Sequence, residues 1–278
     1  MNAIQSLPDS QFSSVYGPVK SWRFGSSLGI DPIGMVSTCS FNCVYCQLGK
    51  IQKHISQRQI FVPTDQIFRD LQAITSWEDV DAVTLSGSGE PTLALNLAEI
   101  LAAVKTFTKR PAIVLTNSTL LGDGTVRSAL KLADIVAVKL DAISSNQLRR
   151  VNQPVATIDL PDIVAGIEQF RQEYQGFLTI QTMVLSPWKP DIVRDYIQLL
   201  QHLKPDEIQL NTPSRPRVLV RQLDARGNNV TESSSYVCQN LRCVSPEVLT
   251  VLAKQIYEVT KIPVRCPPRA SLQLGTSN

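Results

Sequence analysis

The octapeptide Cys39-Ser40-Phe41-Asn42-Cys43-Val44-Tyr45-Cys46 holds three of the six cysteines of this 278-residue chain. Its CxxxCxxC spacing differs from the paired knuckles of structural zinc sites and from a disulfide framework. Eight fully extended residues would span about 26 Å, so a loop that holds one small cluster must wrap around it. Three thiolates leave a tetrahedral metal or a cubane cluster one ligand short, which keeps a metal site reactive.

Three other interpretations of this loop fit the sequence less well. Buried structural thiols would need positions 39, 43 and 46 on one helix face, whereas residues 34–38 read as a strand that runs into a loop. A zinc site with His54 as fourth ligand conflicts with the preference of zinc for paired knuckles. A disulfide conflicts with the expected cytoplasmic location, since no signal peptide or transmembrane run is visible. The pattern favours an iron–sulfur cluster.

The octapeptide resembles the signature loop of the radical S-adenosylmethionine (radical SAM) enzymes. The resemblance implies that Cys39, Cys43 and Cys46 hold three irons of a [4Fe–4S] cluster and that S-adenosylmethionine chelates the fourth. It places Tyr45 beside the adenine. In this family, one electron from the reduced cluster cleaves the sulfonium and gives a 5′-deoxyadenosyl radical, while the protein positions the cofactors and excludes water. An external one-electron reductant such as flavodoxin or ferredoxin is also implied.

Short apolar runs alternate with helix-like stretches, a pattern typical of repeated strand–helix units around a parallel sheet. The predicted strands are residues 34–38, 81–86, 112–116, 135–140, 177–183 and 207–210, and the predicted helices are residues 65–75, 96–106, 125–132, 160–174, 191–202 and 245–260. Six units are too few to close an eight-stranded barrel. The sequence therefore predicts an α/β fold with a partial (β/α)6 barrel, the fold that the radical SAM resemblance also implies.

The predicted domain organisation has three parts. Residues 1–20 form an N-terminal arm, residues 21–216 form the partial-barrel core, and residues 217–278 form a short C-terminal extension.

In parallel α/β barrels, functional residues gather at the carboxyl ends of the strands. Gly87, Gly89 and Glu90 follow the second predicted strand, where glycine lets the backbone approach a ligand closely. This loop resembles the GGE-type motif that binds the ammonium group of the cofactor, with Ser88 in place of the first glycine. Asn117 follows the third strand and is either a capping residue or a contact for the methionine portion of the cofactor.

Lys139 and Asp141 lie two residues apart at the end of the fourth predicted strand and so share one face. Asp141 resembles the residue that contacts the cofactor ribose in this family, because a carboxylate accepts from both sugar hydroxyls. An ion pair between the two at the barrel rim is the alternative. Gln181, Gln209 and Asn211 supply amides to the interior, which are costly there unless hydrogen-bonded and therefore fit a polar ligand.

A more specific resemblance extends over roughly residues 16–216. Residues 16–32, the octapeptide, SGSGEPTL, KLDA and QLNTPSRP together resemble the branch that contains the wyosine-type tRNA-modifying synthases and their bacterial relatives of unknown substrate. Those synthases use extra N-terminal cysteines for a second cluster, and no cysteine precedes Cys39 here. The tRNA substrate is therefore not carried over, and the substrate stays unidentified.

Basic residues are concentrated after the last predicted strand of the core. The formal net charge is +3, and Arg215, Arg217, Arg221 and Arg226 lie close together in the sequence. They form either a solvated surface or a rim that meets an anionic substrate, with RNA as one candidate. Aromatic residues make up 6% of the chain, too few to indicate a stacking platform for single-stranded nucleic acid. No membrane partner is expected.

Cys238, Cys243 and Cys266 lie in the predicted extension. They are ordinary thiols, an auxiliary cluster site or a zinc site, and their spacing favours the first. Two functions are compatible with these features. The favoured one is a radical SAM enzyme that acts on an unidentified substrate, and the alternative is a non-enzymatic module, stabilised by zinc or an iron–sulfur cluster, that binds nucleic acid. Colour separates the two metals, since an iron–sulfur protein is brown and a zinc protein is colourless.

Overall fold

The computed structural model describes residues 12–227 and 237–268. The strands are β1 (Val15–Ser21), β2 (Gly25–Ile30), β3 (Thr38–Cys39), β4 (Lys53–His54), β5 (Ala82–Leu85), β6 (Ala112–Thr116), β7 (Ile135–Lys139), β8 (Phe177–Met183), β9 (Glu207–Asn211), β10 (Arg217–Val218), β11 (Cys238–Gln239) and β12 (Val264–Arg265). The helices are α1 (Thr64–Gln72), α2 (Leu97–Thr108), α3 (Gly124–Leu130), α4 (Ser145–Val151), α5 (Leu160–Glu173), α6 (Pro190–Leu203) and α7 (Pro246–Thr260).

Eight of these strands form one sheet in the order β1-β2-β5-β6-β7-β8-β9-β12. The six central strands, from β2 to β9, are parallel and follow one another in chain order. Helices connect them, so the chain builds successive right-handed strand–helix units. This arrangement confirms the predicted α/β partial barrel with six core strands. At the two edges of the sheet, β1 adds antiparallel to β2, and β12 adds parallel to β9.

The strand that leads to the cysteine loop lies at Gly25–Ile30, so the prediction of a strand over residues 34–38 was wrong. Two glycines lower the intrinsic strand preference of β2, and pairing with β1 and β5 overrides it. Gly29 serves a packing purpose, because a Cβ atom there would lie 2.2 Å from Cζ of the Tyr16 ring. The ring crosses β2, and its hydroxyl lies 2.8 Å from Ser86 Oγ.

Both segments that flank the predicted core contribute a strand to the sheet. Most of β1 lies in the predicted arm, and β12 lies in the predicted extension. Residues 1–11 of that arm, and residues 228–236 and 269–278 of that extension, lie outside the described residues. Helix α4 was not predicted, because seven residues are too few to show a helical period clearly. Within the described ranges, no helix is long and apolar enough to cross a membrane.

A side chain joins the two edges of the large sheet. Arg265, in β12, donates from Nη1 to the carbonyl of Arg23 at 3.2 Å and from Nη2 to the carbonyl of Trp22 at 2.5 Å. Its guanidinium carbon lies 5.7 Å from the centre of the Trp22 ring. Trp22 and Arg23 form the turn between β1 and β2, so the last strand holds the first hairpin.

A small apolar cluster lies beneath the cysteine loop, apart from the main core. Its buried members are Leu48, Ile51, Val218 and Ala225, and Cys39, Cys46 and Cys238 pack against it. Since Val218 and Ala225 come from the segment after β9, this cluster attaches that segment to the cysteine loop. Gln47 strengthens the attachment by donating from Nε2 to the carbonyl of Ala225 at 2.7 Å.

Candidate active site

Cys39, Cys43 and Cys46 line one cavity of about 540 Å³ inside the curled sheet. The loop folds back on itself, with Cys46 N donating to Cys43 O at 3.1 Å and Gly49 N to Cys46 O at 3.0 Å. Burial raises the pKa of all three thiols, that of Cys43 to about 12. A groove of about 790 Å³ between α6 and α7 is lined by none of these cysteines.

Nitrogen donors lie within 3.5 Å of two of the three cysteine sulfur atoms. Cys39 Sγ accepts from Phe41 N at 3.4 Å and lies 3.5 Å from Asn117 Nδ2, and Cys43 Sγ lies 3.4 Å from Asn152 Nδ2. N–H groups directed at ligand sulfurs are the means by which proteins stabilise and tune an iron–sulfur cluster. The donor set therefore fits thiolates that carry a cluster.

A single metal ion fits this loop less well. His54 Nε2 lies 3.1 Å from the carbonyl oxygen of Ser40, so that ring nitrogen bonds to the backbone of the loop. Among the described residues, no three His, Cys, Asp or Glu side chains converge on one metal ion. A cubane cluster does not require such convergence, because each thiolate binds a different iron.

The glycine-rich loop after β5 packs backbone against backbone on the start of the cysteine loop. Thr38 N donates to Ser88 O at 3.0 Å, and Glu90 N donates to Thr38 O at 3.1 Å. A Cβ atom on Gly89 would lie 1.7 Å from Thr38 O, so only glycine permits this approach. Gly87, Gly89 and Glu90 all line the cavity, where the sequence predicts them.

Glu90 is buried and is the acceptor for the end of β6. Its carboxylate accepts from the backbone N and Oγ1 of Thr92 at 3.1 and 2.6 Å, from Thr116 Oγ1 at 2.6 Å and from Asn117 N at 2.6 Å. Burial raises the pKa of Glu90, and these hydrogen bonds oppose that rise. The contact with the cofactor ammonium stays a prediction, and the structure adds a structural role to it.

Asn117 links β6 to the cysteine loop. Its Nδ2 donates to Ser40 Oγ at 2.8 Å as well as approaching Cys39, and its Oδ1 accepts from Thr119 N at 3.1 Å. Asn117 therefore caps its own turn and also lines the cavity. The two alternatives drawn from the sequence for this residue are compatible.

Asp141 lies behind Tyr45 and is not one of the described residues that line the cavity. Its Oδ2 accepts from the Tyr45 hydroxyl and from Asn152 Nδ2 at 2.6 Å, and its Oδ1 accepts from Met183 N at 2.7 Å. Lys139 lines the cavity, with Nζ 5.3 Å from the centre of the Tyr45 ring. A ribose contact by Asp141 stays a prediction, and the visible role of this carboxylate is to hold Tyr45.

Asn152 is a site residue that the sequence analysis missed. It follows α4, is fully buried and donates to Asp141 while approaching Cys43. The backbone carbonyl oxygen of Asn152 also accepts from Asn42 N at 2.9 Å. No spacing pattern marks this residue, because its contacts with Asn42 and Cys43 join segments about a hundred positions apart in the chain.

The four arginines after β9 bond to the loops of the site. The contacts are Arg215 Nη1 to Gln47 Oε1 at 2.9 Å, Arg217 Nη1 to Val44 O at 3.3 Å, Arg221 Nη2 to Ser88 Oγ at 2.6 Å and Arg226 Nη1 to Asp31 Oδ2 at 3.1 Å. The interpretation as a solvated surface was therefore wrong. Arg215 and Arg226 also line the cavity.

Cys238, Cys243 and Cys266 have different neighbours. Cys238 packs on the small apolar cluster, Cys243 Sγ lies 3.3 Å from Pro213 O, and Cys266 Sγ lies 3.8 Å from Leu249 O. Burial raises the pKa of Cys266 to about 11. These placements favour ordinary thiols over an auxiliary cluster.

We expect a variant with Cys238, Cys243 and Cys266 all replaced by alanine to bind as much iron as the wild type, about four atoms per chain, because the octapeptide alone holds the cluster. Iron should be counted after anaerobic reconstitution, and visible absorbance should be compared. A fall to half of the wild-type iron content would instead establish an auxiliary cluster.

Residues 33–211 match the Radical SAM superfamily. The chain belongs to this superfamily. It is 52% identical over 261 residues to a UPF0026 protein of Synechocystis, covering 94% of this chain and 98% of the relative, and so belongs to the UPF0026 group as well. A UPF0026 protein of Methanocaldococcus jannaschii is 35% identical over 207 residues, covering 72% and 64%. A probable GTP 3′,8-cyclase of Saccharolobus islandicus is 25% identical over 199 residues, covering 68% and 58%.

Solved radical SAM structures share the fold. Streptococcus suis SuiB bound to S-adenosylmethionine superposes with a TM-score of 0.59 at 13% identity, covering 86% of this chain and 50% of that one. TsrM from Kitasatospora setae, with cobalamin and a [4Fe–4S] cluster bound, gives a TM-score of 0.53 at 11% identity, covering 83% and 53%. The chain thus spans about half of these two neighbours, and the likeness shows the fold alone.

Membership establishes the class of protein and its cofactors. This radical SAM protein is an enzyme, and S-adenosylmethionine and a [4Fe–4S] cluster are its cofactors, as the sequence predicts. The non-enzymatic zinc module is thereby set aside. The relationship to the wyosine branch stays a prediction, since the relatives named above are UPF0026 proteins and a cyclase.

Proposed function

We propose that this radical SAM enzyme reductively cleaves S-adenosylmethionine at a [4Fe–4S] cluster held by Cys39, Cys43 and Cys46. One observation carries the proposal: the three thiols line a single cavity together with the glycine-rich loop and Tyr45. Its volume of about 540 Å³ lies within the usual range for small-molecule sites. When bound, the two cofactors supply a one-electron cleavage that gives methionine and a 5′-deoxyadenosyl radical, which acts on the substrate.

The residues of the chain orient and protect the reacting groups. Asn117 and Asn152 donate to the cysteine sulfurs and fix the two sides of the loop. Gly89 lets the glycine-rich loop lie against Thr38, which places the end of β5 next to the cysteines. Glu90 offers the carboxylate for the cofactor ammonium, as the resemblance implies.

Tyr45 forms the wall beside Lys139, held from behind by Asp141. Its position next to Cys46 supports the expected adenine contact. Gln181, Met183 and Asn211, from the ends of β8 and β9, also line the cavity, and we assign this side of it to the substrate. An external reductant such as flavodoxin or ferredoxin supplies the electron, and RNA stays one candidate among anionic substrates.

The direct test is anaerobic incubation of reconstituted protein with S-adenosylmethionine and dithionite, followed by chromatography for 5′-deoxyadenosine. We expect a brown protein that forms 5′-deoxyadenosine over time, even slowly and without substrate. Reactions that lack dithionite or the cofactor provide the baseline. A fully reconstituted protein that forms no 5′-deoxyadenosine above this baseline would contradict the proposal.

A further inference from the structure

We propose that Arg23 and Arg215 form an anion-binding subsite in the cavity of this enzyme, and that its substrate carries a carboxylate or phosphate group. This inference rests on the proposed function and names the substrate class for the same site.

The walls of the cavity carry an excess of positive charge. Among the described residues, the basic side chains that line it are Lys20, Arg23, Lys139, Arg215 and Arg226, and the acidic one is Glu90. Arg226 is neutralised by the buried carboxylate of Asp31 at 3.1 Å. Glu90 already accepts four hydrogen bonds from Thr92, Thr116 and Asn117. Four cationic groups therefore remain without a carboxylate partner in the described part of the chain.

Arg23 is the least satisfied of these groups. Its backbone is fixed, because the Arg23 carbonyl accepts from Arg265 in the opposite edge strand. Its side-chain Nε is buried and has no hydrogen-bond partner in the described structure. A buried charged donor without a partner costs free energy, so its retention in a cavity indicates a ligand that supplies the missing acceptor.

Arg215 lies in the segment that follows β9, far from Arg23 in the sequence, and it lines the same cavity. One nitrogen, Nη1, is held by Gln47 Oε1 at 2.9 Å, which orients the guanidinium plane. Both side chains line this cavity, and burial and then the nearby Arg215 charge lower the pKa of Arg23. Two like charges in one cavity repel, and an anion between them removes the repulsion.

The cofactors neutralise only part of this positive charge. S-adenosylmethionine that chelates the open iron through its amine and carboxylate carries no net charge, and the three-thiolate cluster carries one negative charge when oxidised and two when reduced. That is fewer than the four cations without a carboxylate partner. The excess charge on the walls remains for the substrate. Guanidinium forks match the two oxygens of a carboxylate or phosphate, which sets the chemical class.

The test titrates inorganic phosphate, pyrophosphate and malonate into reconstituted enzyme that contains S-adenosylmethionine, with calorimetry as the readout. We expect at least one anion to bind, and Arg23→Gln and Arg215→Gln each to weaken it about ten- to hundredfold. Comparing the affinity for malonate with the affinities for phosphate and pyrophosphate distinguishes a carboxylate site from a phosphate site. Arg194→Gln is the control, since Arg194 lies on α6, outside this cavity. This variant should bind the anion as tightly as the wild type does.

A melting measurement without any added anion separates ligand binding from a structural role. Arg23→Gln should melt at a higher temperature than the wild type, because the variant lacks the buried Nε donor that has no partner. A lower melting temperature, or undiminished anion binding in both arginine variants, overturns the inference. Formation of 5′-deoxyadenosine is measured alongside: a wild type that cleaves the cofactor but binds no anion refutes this subsite and leaves the proposed function intact.

Discussion

Replacing Cys39, Cys43 and Cys46 together by alanine should remove the cluster and abolish cleavage of S-adenosylmethionine. These thiols line the same cavity, and the N–H donors of Asn117 and Asn152 reach two of them. Without thiolates the iron has no protein ligand, so the loss should be complete. Iron content, visible absorbance and 5′-deoxyadenosine after anaerobic reconstitution measure the result.

The matched control is the variant that lacks the three C-terminal cysteines, because it removes the same number of thiols from the same chain. It should keep the brown colour and the activity. Circular dichroism on both variants shows whether the fold survives, since Cys43 is buried. If the octapeptide variant still cleaved the cofactor at the wild-type rate, the ligand assignment would have to be abandoned.

Asp141→Ala should lower the free energy of unfolding of the iron-free protein by at least about 3 kcal/mol. Asp141 is 3% exposed and accepts from Tyr45, Asn152 and Met183, so its removal takes the acceptor away from two buried donors and one partly buried donor. Urea denaturation under anaerobic conditions measures the change. We also expect reconstitution to become inefficient, because Tyr45 and Asn152 both hold the cysteine loop.

The iron-free measurement distinguishes two roles for Asp141. A residue that only contacts the cofactor ribose would leave the stability of the iron-free protein unchanged and would raise the Kd for S-adenosylmethionine. A residue that positions Tyr45 changes the stability even when no cofactor is present. Asp79→Ala provides the baseline, since Asp79 is exposed and such surface changes usually stay within about 0.5 kcal/mol. An Asp141→Ala variant as stable as that control would reject the positioning role.

Much of the site was predictable because it is encoded in short, local patterns. The cysteine spacing identifies the cluster loop without reference to the fold. Five of the six predicted core strands lie within two residues of their predicted bounds, since a buried parallel strand is a continuous apolar run. The polar residues after those runs then necessarily meet at one end of the sheet, which brought Glu90, Asn117 and Lys139 to the cavity.

What the sequence concealed depends on contacts between distant segments. Strand β2 carries two glycines and few β-branched residues, so pairing on both sides decides its conformation. Asn152 follows a helix too short to recognise, and its function comes from Cys43 and Asp141 beside it. Arg23 sits in an ordinary hairpin turn, and only the folded sheet shows that its side chain enters the cavity.

Arg265 connects the two edge strands of the partial barrel through its side chain. Neighbouring strands within the sheet are joined by backbone hydrogen bonds, whereas β12 contacts the turn after β1 through two hydrogen bonds and a ring contact of Arg265. Two side-chain hydrogen bonds hold two strands less strongly than a backbone ladder does. We therefore expect local opening to begin at this contact, while the six core strands stay together.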